Sequence, residues 1–420
     1  MNPTFEAYFK SIKAVTLNDD GTENTTIATY DSPVVSSSDT DGTKGQAMVR
    51  LPRLWYKEYL DANDKLTGID IANYPKPGLT LHPKFSYGAG REFIYVGMYE
   101  ASGSSTLQSI SGVTPVTNIT LAVFRSRAAA RGTGWHQLDF WTQHLLDLLF
   151  YAYYGDRDAK MALPGYIGLS SWNTSYIRET GRTNVFTDLN DSLTWNPGTE
   201  TGGTWSGGLD SDIAQEIEDD AVSWRAGFDP IVGSRFLFIE NPYGHIYKMN
   251  DGVSAVPDLS VATVGDLPAE PDNGDSYVVL ADGKYYEWHA GDEEWKDRGS
   301  ATAPSFVATP NPTQFSSLPA EILEKYTKID VDPVAIATFD YIKNVGKAFI
   351  PVELGASSST HFTSTQYNYL TDASRPYLRR VLAGGALLSG ATAGVALRYV
   401  HRALGAALSH DGSRLCYEKI

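Results

Sequence analysis

A single cysteine, Cys416, stands in 420 residues. That excludes an internal disulfide and any cysteine-based metal site. Basic residues are in short supply too: 34 Lys and Arg against 50 Asp and Glu leave a formal net charge of −16 and a pI near 4.9. Nucleic-acid binding needs a basic footprint on the phosphates, so a general nucleic-acid partner is disfavoured. No Walker-type loop, HExxH helix or GxSxG elbow occurs anywhere in the chain. The opening MNPTFEAYFKSIKAV lacks the apolar core of a signal peptide. The expectation is synthesis in a bacterial cytoplasm without export by the usual route.

A more local absence marks the end of the chain. The 51 residues from Tyr367 to Tyr417 contain no Glu, Lys, Gln, Met or Trp, although all five types are spread through the preceding sequence. Within that stretch lies VLAGGALLSGATAGVALRYVHRALGAALSHDGSRLCYE, rich in Ala, Gly and Leu. A membrane span is one reading. Val381 to Leu397 is seventeen uncharged residues flanked by Arg379, Arg380 and Arg398, and Gly390 and Gly394 have small-xxx-small spacing. Seventeen residues is the lower limit for a helix crossing roughly 30 Å of hydrocarbon. Four of them are glycine, which weakens a helix. The other reading, a binding surface drawn from a restricted residue set, is preferred.

What the chain does hold is aromatic and polar: 25 Tyr, 9 Trp and 38 Gly among Ser, Thr and Asn. The mixture suits a β-rich, loop-rich extracellular or virion-type protein, and length alone allows about two to three domains. Residues 1–44 read as a separate N-terminal extension ending in the turn-rich DSPVVSSSDTDGTKG. Met48–Tyr59 and Arg91–Ala101 carry strand signals. HQLDFWTQHLLDLLFYAYYG predicts a helix, with Leu138, Trp141, Leu145, Leu148 and Leu149 at helical spacing and Gly155 as its stop. A second helix is predicted near Ala122 to Arg131. Residues 263–300 have their own cadence, YVVL and KYYEW around an Asp-Gly turn, and predict a small self-contained β insertion.

Candidate chemistry is thin. His136 and His144 are eight apart on the predicted helix and could share a face, but no carboxylate or Cys cluster accompanies them in sequence, so no metal or cofactor is expected. Glu216, Glu218, Asp219 and Asp220 could supply a glycosidase pair, yet acidic runs are usually solvated faces. Glu270-Pro271-Asp272 sits among turn residues and reads as a turn.

Several segments together resemble one family, the C-type lectin-fold variable proteins of diversity-generating retroelements, typical of phage tail fibres. MVRLPRLWYKEYL with LTLHPKFSYGAGREFIYVGMYEAS resembles the opening of that domain. RGTGWHQLDFWTQHLLDLLFYAYYGDRDA resembles its helical segment. VSWRAGFDP and FIENPYGHIYKMNDGV resemble its Trp-Arg-Gly…Glu-Asn-Pro-Gly-Asn signature. Here the signature is divided: about a dozen residues separate Trp224-Arg225 from Ile239-Glu240-Asn241-Pro242, and His245 stands where Asn is usual. The resemblance covers roughly residues 45–420.

What the resemblance implies is an α+β, C-type lectin fold: two helices packed on twisted antiparallel sheets with long loops, occupying 45–420 and carrying the 263–300 insertion. In this family a reverse transcriptase randomises adenines, commonly within Asn-type codons, whose products cannot include Glu, Lys, Gln, Met or Trp. The variable region would then be 381–416. Its contact face would hold Ala386, Leu387, Leu388, Thr392, Val395, Leu397, Tyr399, His401, Arg402, Leu404, Ala406, Leu408 and His410. Gly384, Gly385, Gly394, Gly412, Arg414, Trp224 and Asn241 would be fixed scaffold, the glycines where a Cβ does not fit and Arg414 for an ion pair or carbonyl contact.

The implied function is non-enzymatic binding of a host cell-surface receptor, a protein in preference to a glycan, by a phage or prophage tail-fibre adhesin. Fibre attachment through residues 1–44, homotrimeric display and location on the virion follow from the same resemblance. The rivals are a glycan-degrading tailspike and an enzyme of the formylglycine-generating type.

Overall fold

The computed structural model describes residues 3–87, 91–156, 159–163, 177–193, 195–196, 204–205, 233–256, 259–261, 263–271, 276–279, 284–300, 305–331, 341–355, 379–386 and 393–419. Along the chain the strands are β1 (Lys13–Leu17), β2 (Glu23–Thr29), β3 (Gln46–Pro52), β4 (Trp55–Leu60), β5 (Leu66–Ala72), β6 (Thr80–Leu81), β7 (Phe93–Glu100) and β8 (Trp135–Gln137). Short strands β9 (Asp191–Leu193), β10 (Trp195–Asn196), β11 (Thr204–Trp205), β12 (Gly233–Phe236) and β13 (Ile239–Glu240) lead to the ten-residue β14 (Tyr247–Val256). Next come β15 (Leu259–Val261), β16 (Ser276–Val279), β17 (Lys284–His289), β18 (Glu294–Ser300), β19 (Ser305–Ala308) and β20 (Thr327–Lys328). The last are β21 (Tyr341–Val345), β22 (Pro351–Gly355), β23 (Arg379–Gly384), β24 (Gly394–Ala403), β25 (Asp411–Gly412) and β26 (Arg414–Tyr417).

Two six-stranded sheets frame the core. The first runs β2-β1-β3-β7-β26-β8, antiparallel throughout. The second runs β20-β19-β14-β23-β24, with β25 parallel to β14. The end of the chain therefore supplies strands to both. In the first sheet β26 lies between β7 and β8, with Cys416 opposite both Val96 and His136.

These facts correct two expectations. Residues 1–44 are not a separate extension: β1 pairs with β3 over five residues, from Lys13–Arg50 to Leu17–Gln46, and Tyr8 and Phe9 are fully buried. The expected α+β, C-type lectin fold is also overturned. The chain is mostly strand, divided among many small, largely antiparallel sheets, and no C-type lectin fold is identified. The physical reason lies in the spacing of turn residues. Apolar runs of four to eight residues broken by Gly, Pro, Asn and Asp close into short strands, and only one segment keeps a helical period long enough to bury a helix on its own.

That segment is α4 (Phe140–Tyr154), following α1 (Pro3–Lys10), α2 (Pro83–Ser86) and α3 (Leu121–Ala129). Asp139 caps α4 by accepting from the Thr142 amide at 3.0 Å, and Gly155 ends it in the left-handed region at φ 66°. Leu145, Leu148 and Leu149 are fully buried. The second helix, expected at Ala122–Arg131, forms as α3. Strands β16 to β18, from the segment read as an insertion, form a four-stranded sheet with β15, which lies just before that segment. No helix among the described residues is long and apolar enough to cross a membrane, and both described ends of Val381–Leu397 are strand.

Candidate binding surface and the ion networks behind it

The C-terminal segment is held by arginines that are themselves interior. Arg380, Arg398 and Arg414 are among the largest fully buried side chains. A charged group survives there only when paired or fully hydrogen-bonded. Arg380 pairs with Asp411 and donates to the Ala406 carbonyl at 2.7 Å. Arg398 on β24 reaches back to Asp147 on α4, and Gln143 also donates to Asp147 at 2.8 Å.

Arg414 reads backbone only. It donates to the carbonyls of Met98 at 3.3 Å, of Asn241 at 2.7 Å and of Glu240. One side chain thus ties β26 to β7 and to the turn after β13. Burial draws the Arg414 guanidinium below its usual range, opposed by Glu100 and Glu240 nearby. Asn241 adopts φ 47°, is buried, and its own amide donates to the Ser234 carbonyl at 2.7 Å.

Behind Arg414 lies a second charged group. Glu100 pairs with Lys248 at 2.6 Å and with His245. Burial works to raise the Glu100 carboxyl, but His245, Lys248 and Arg414 together outweigh it and bring it down to about 2. Lys248 is drawn down to about 8 by burial, with Glu100 resisting. At neutral pH the pair is ionic.

Of the expected contact face, Leu387, Leu388 and Thr392 lie outside the described residues, as does Trp224 of the scaffold. His401 is on β24, and nothing is described of its side chain. Five other members are corrected by their depth: Ala386, Val395, Leu397, Tyr399 and Leu404 are all buried, the most exposed at 8%. Leu397, Tyr399 and Leu404 pack in one cluster with Leu382 and Tyr247, and Tyr399 stacks on Tyr247 with ring centroids 5.4 Å apart. Both faces of β24 are covered, one by this cluster and the other by α4 through Arg398, so alternation along it does not mark an exposed side.

Arg402, near the end of β24, and Ala406, Leu408 and His410, in the turn after it, are half-buried. Arg402 pairs with Asp411 at 3.1 Å, contacts His410 at 2.7 Å and lies 5.2 Å from the Tyr399 ring. Gly405 and Ala407 between them are exposed.

The scaffold glycines divide. Gly384 (φ 82°) and Gly385 (φ 78°) require left-handed backbone, and a Cβ on Gly384 would meet the Tyr243 backbone at 3.2 Å. A Cβ on Gly412 would come within 3.1 Å of the Val116 carbonyl, while Gly394 starts β24 opposite Gly384.

A third network went unnoticed in the sequence because its members are far apart. Lys84 on α2 pairs with Asp139 at 2.9 Å and with Glu418, 334 residues away. Arg91 reaches Glu418 at 2.9 Å and His136 reaches it at 2.8 Å. His136, Asp139 and Glu418 present ligand atoms within 4.8 Å of one another, a spacing a metal could use. The Lys84 ammonium already lies between the two carboxylates and supplies the positive charge a metal would bring, so no metal role is assigned. Of the eight-apart histidines, His136 belongs to this network and His144 to a different one; they do not meet.

Cys416 is buried at the edge of this network. Burial, with Asp139 next, pushes its thiol well above the usual range. The acidic run Glu216, Glu218, Asp219 and Asp220 lies outside the described residues. No known family matches the sequence, and no curated protein is similar to it.

Proposed function

We propose that this protein is a non-enzymatic binding protein that presents the turn at residues 402–410 to a host cell-surface protein, as a tail-fibre adhesin of a phage or prophage would. The observation that carries the reading joins composition to depth. The residue types of the stretch Tyr367–Tyr417 are restricted, and within it residues 405–410 are accessible while the strands on either side are fixed by buried arginines. Side chains on such a turn can change at little cost to folding, since surface substitutions rarely disturb stability by much. A contact surface needs shape and an apolar centre and no chemistry, and Leu408 with Ala406 and Ala407 supplies small apolar groups beside the cationic Arg402. Display in several copies on a fibre would strengthen weak single sites through effective concentration.

The formylglycine-generating alternative, which would rest on cysteine chemistry, is disfavoured by Cys416, the single cysteine, which is buried. The reactive form is the thiolate, and a buried thiol whose pKa is raised is inert. Diversification of the segment by a retroelement has its own test in the genome: a near-copy of the 3′ coding region beside a reverse-transcriptase gene, differing at adenines. For the binding role, a library varied at Ala406, Ala407 and Leu408 should keep its fold and change its targets when panned against host-cell surface proteins. Uniform loss of folding across the library, or unchanged targets, would reject the reading.

A further inference from the structure

A separate feature joins β4, the start of α2 and α4. Two buried imidazoles and a carboxylate form a chain with a fixed direction. The Lys84 amide donates to His82 Nδ1 at 3.3 Å, so that nitrogen is an acceptor. The neutral ring then carries its proton on Nε2, which faces His144 Nδ1 at 3.0 Å. His144 in turn carries its proton on Nε2, which faces Glu58 Oε1 at 3.2 Å. Neutral His82 accords with its surroundings: burial, then His144 and Lys84, hold its pKa well below the usual value. The Ala348 amide donates to the same Glu58 oxygen at 3.0 Å. Both imidazoles are fully buried, and the Glu58 side chain is 7% exposed. Its second oxygen, Oε2, has no hydrogen-bond partner among the described residues.

Glu58 lines a cavity of about 420 Å³. Around it stand the exposed Asp64, Thr80, Asp330 and Lys347, with the Tyr56 ring beside Glu58. None of Asp64, Asp330 or Lys347 has an ion-pair partner among the described residues. The lining thus mixes acceptors and donors, its acids are partly offset by lysines, and its volume lies within the range of small-ligand sites. A metal is disfavoured by the lysines, and an anion by the three carboxylates. A neutral ligand bearing several hydroxyls fits: its O–H groups can donate to the carboxylates, its oxygens can accept from Lys347 and Thr80, and its C–H faces can lie on Tyr56.

We infer that this cavity is a saccharide-binding site in which Glu58 Oε2 accepts from a sugar hydroxyl. His144 and His82 are positioning residues: they hold Glu58 in one orientation before the ligand arrives, which lowers the ordering cost of binding. The site does not depend on the C-terminal turn being a receptor surface.

The test is titration of the full chain, by calorimetry and ligand-observed magnetic resonance, with glucose, galactose, N-acetylglucosamine, lactose and cellobiose. Lysine methyl ester and acetate serve as charged comparators. At least one saccharide should bind with a dissociation constant of about 1 mM or tighter. Glu58→Gln keeps an acceptor for His144 and Ala348 but puts an amide in place of the free oxygen, and should weaken binding by about tenfold or more. Asp330→Asn and Lys347→Ala alter exposed groups that folding does not need, and each should weaken the same saccharide several-fold. Val264→Ser, in the β15–β18 region, should leave it unchanged. Absence of saccharide binding at about 10 mM, binding of the charged comparators alone, or equal affinity in Glu58→Gln, Asp330→Asn and Lys347→Ala would each overturn the inference.

Discussion

Two parts of the C-terminal segment draw on the same restricted set of residues and sit at different depths. In β23, β24 and β26 the Leu, Val and Tyr side chains with described burial are in the core, and even Arg380, Arg398 and Arg414 are fully buried. In residues 405–410 the same Ala, Leu and His types are half-buried or exposed. Composition therefore says which residues were available and nothing about where each one lies. Depth is set by what packs against the strand, and here the cluster holding Leu397, Tyr399 and Leu404 buries one face of β24 while α4, through Arg398, covers the other. The two parts should respond in opposite ways to substitution.

The largest effect is expected at Arg414. Replacing it with Ala removes the donor to at least three buried carbonyls and a cation beside Glu100, a loss of about 3–5 kcal/mol. Thermal and urea denaturation would measure it. A cost below about 1 kcal/mol would erase the distinction between anchoring and presenting parts. Leu397→Ala comes next, at about 2–4 kcal/mol, from lost burial and the cavity left beside Tyr247 and Leu382. Should that variant be as stable as the parent, β24 would have an exposed face after all.

Smaller losses should follow from pH. The folded Glu100 carboxyl lies near 2, below the 4.5 of a free carboxyl. Between those values the unfolded chain binds more protons, so the contribution of Glu100 is present above about pH 4.5 and disappears as pH falls toward 2. Lys248 is also lowered, to about 8 from 10.5. There too the unfolded chain binds more protons between the two values, so the cost of burying its charge is relieved as pH rises through that window. Denaturation followed from pH 2 to 10 should show the acid loss in the parent and a flatter acid limb in Glu100→Gln. Equal limbs would remove this network from the anchoring part. Gly384→Ala should cost about 1–2 kcal/mol, for the left-handed backbone and the approach to Tyr243.

Local features were the ones legible in the sequence. The 3.6-residue period and its Gly155 stop placed α4, strand signals marked β7 and the run Met48–Tyr59, which the structure divides into β3 and β4 of separate sheets, and the cadence of 263–300 marked β16 to β18. The fold as a whole was not legible. Segment resemblance pointed to a C-type lectin arrangement, whereas pairing is decided by long-range contacts such as Lys13 with Arg50 and Cys416 with Val96. The ion networks were hidden for the same reason. Lys84 and Glu418 are 334 positions apart, and a lysine after His-Pro carries no sign that it will be buried. The contact face was overestimated because a strand in Val-Leu-Tyr-His alternation reads as one-sided unless its covering helix is known. Arg398 was the available hint: a cation set among Val, Ala, Leu and Tyr in a strand needs a buried acid, and Asp147 on the predicted helix was a candidate.

The smallest expected effect on folding is the one that bears most on function. Leu408→Ala lies in the accessible turn, so its stability should stay within about 0.5 kcal/mol of the parent. The neighbouring backbone is fixed independently of the leucine side chain: the Asn118 and Asp411 amides each donate to the Leu408 carbonyl at 3.0 Å, and alanine keeps that carbonyl. If the turn presents a contact surface, removing its largest apolar group should reduce affinity for a captured host protein while Tm is unchanged. That separation between binding and folding is what Leu397→Ala should not show. A Leu408→Ala variant that loses stability as Leu397→Ala does would place the turn in the core with its flanking strands, and the C-terminal segment would then be one anchoring structure.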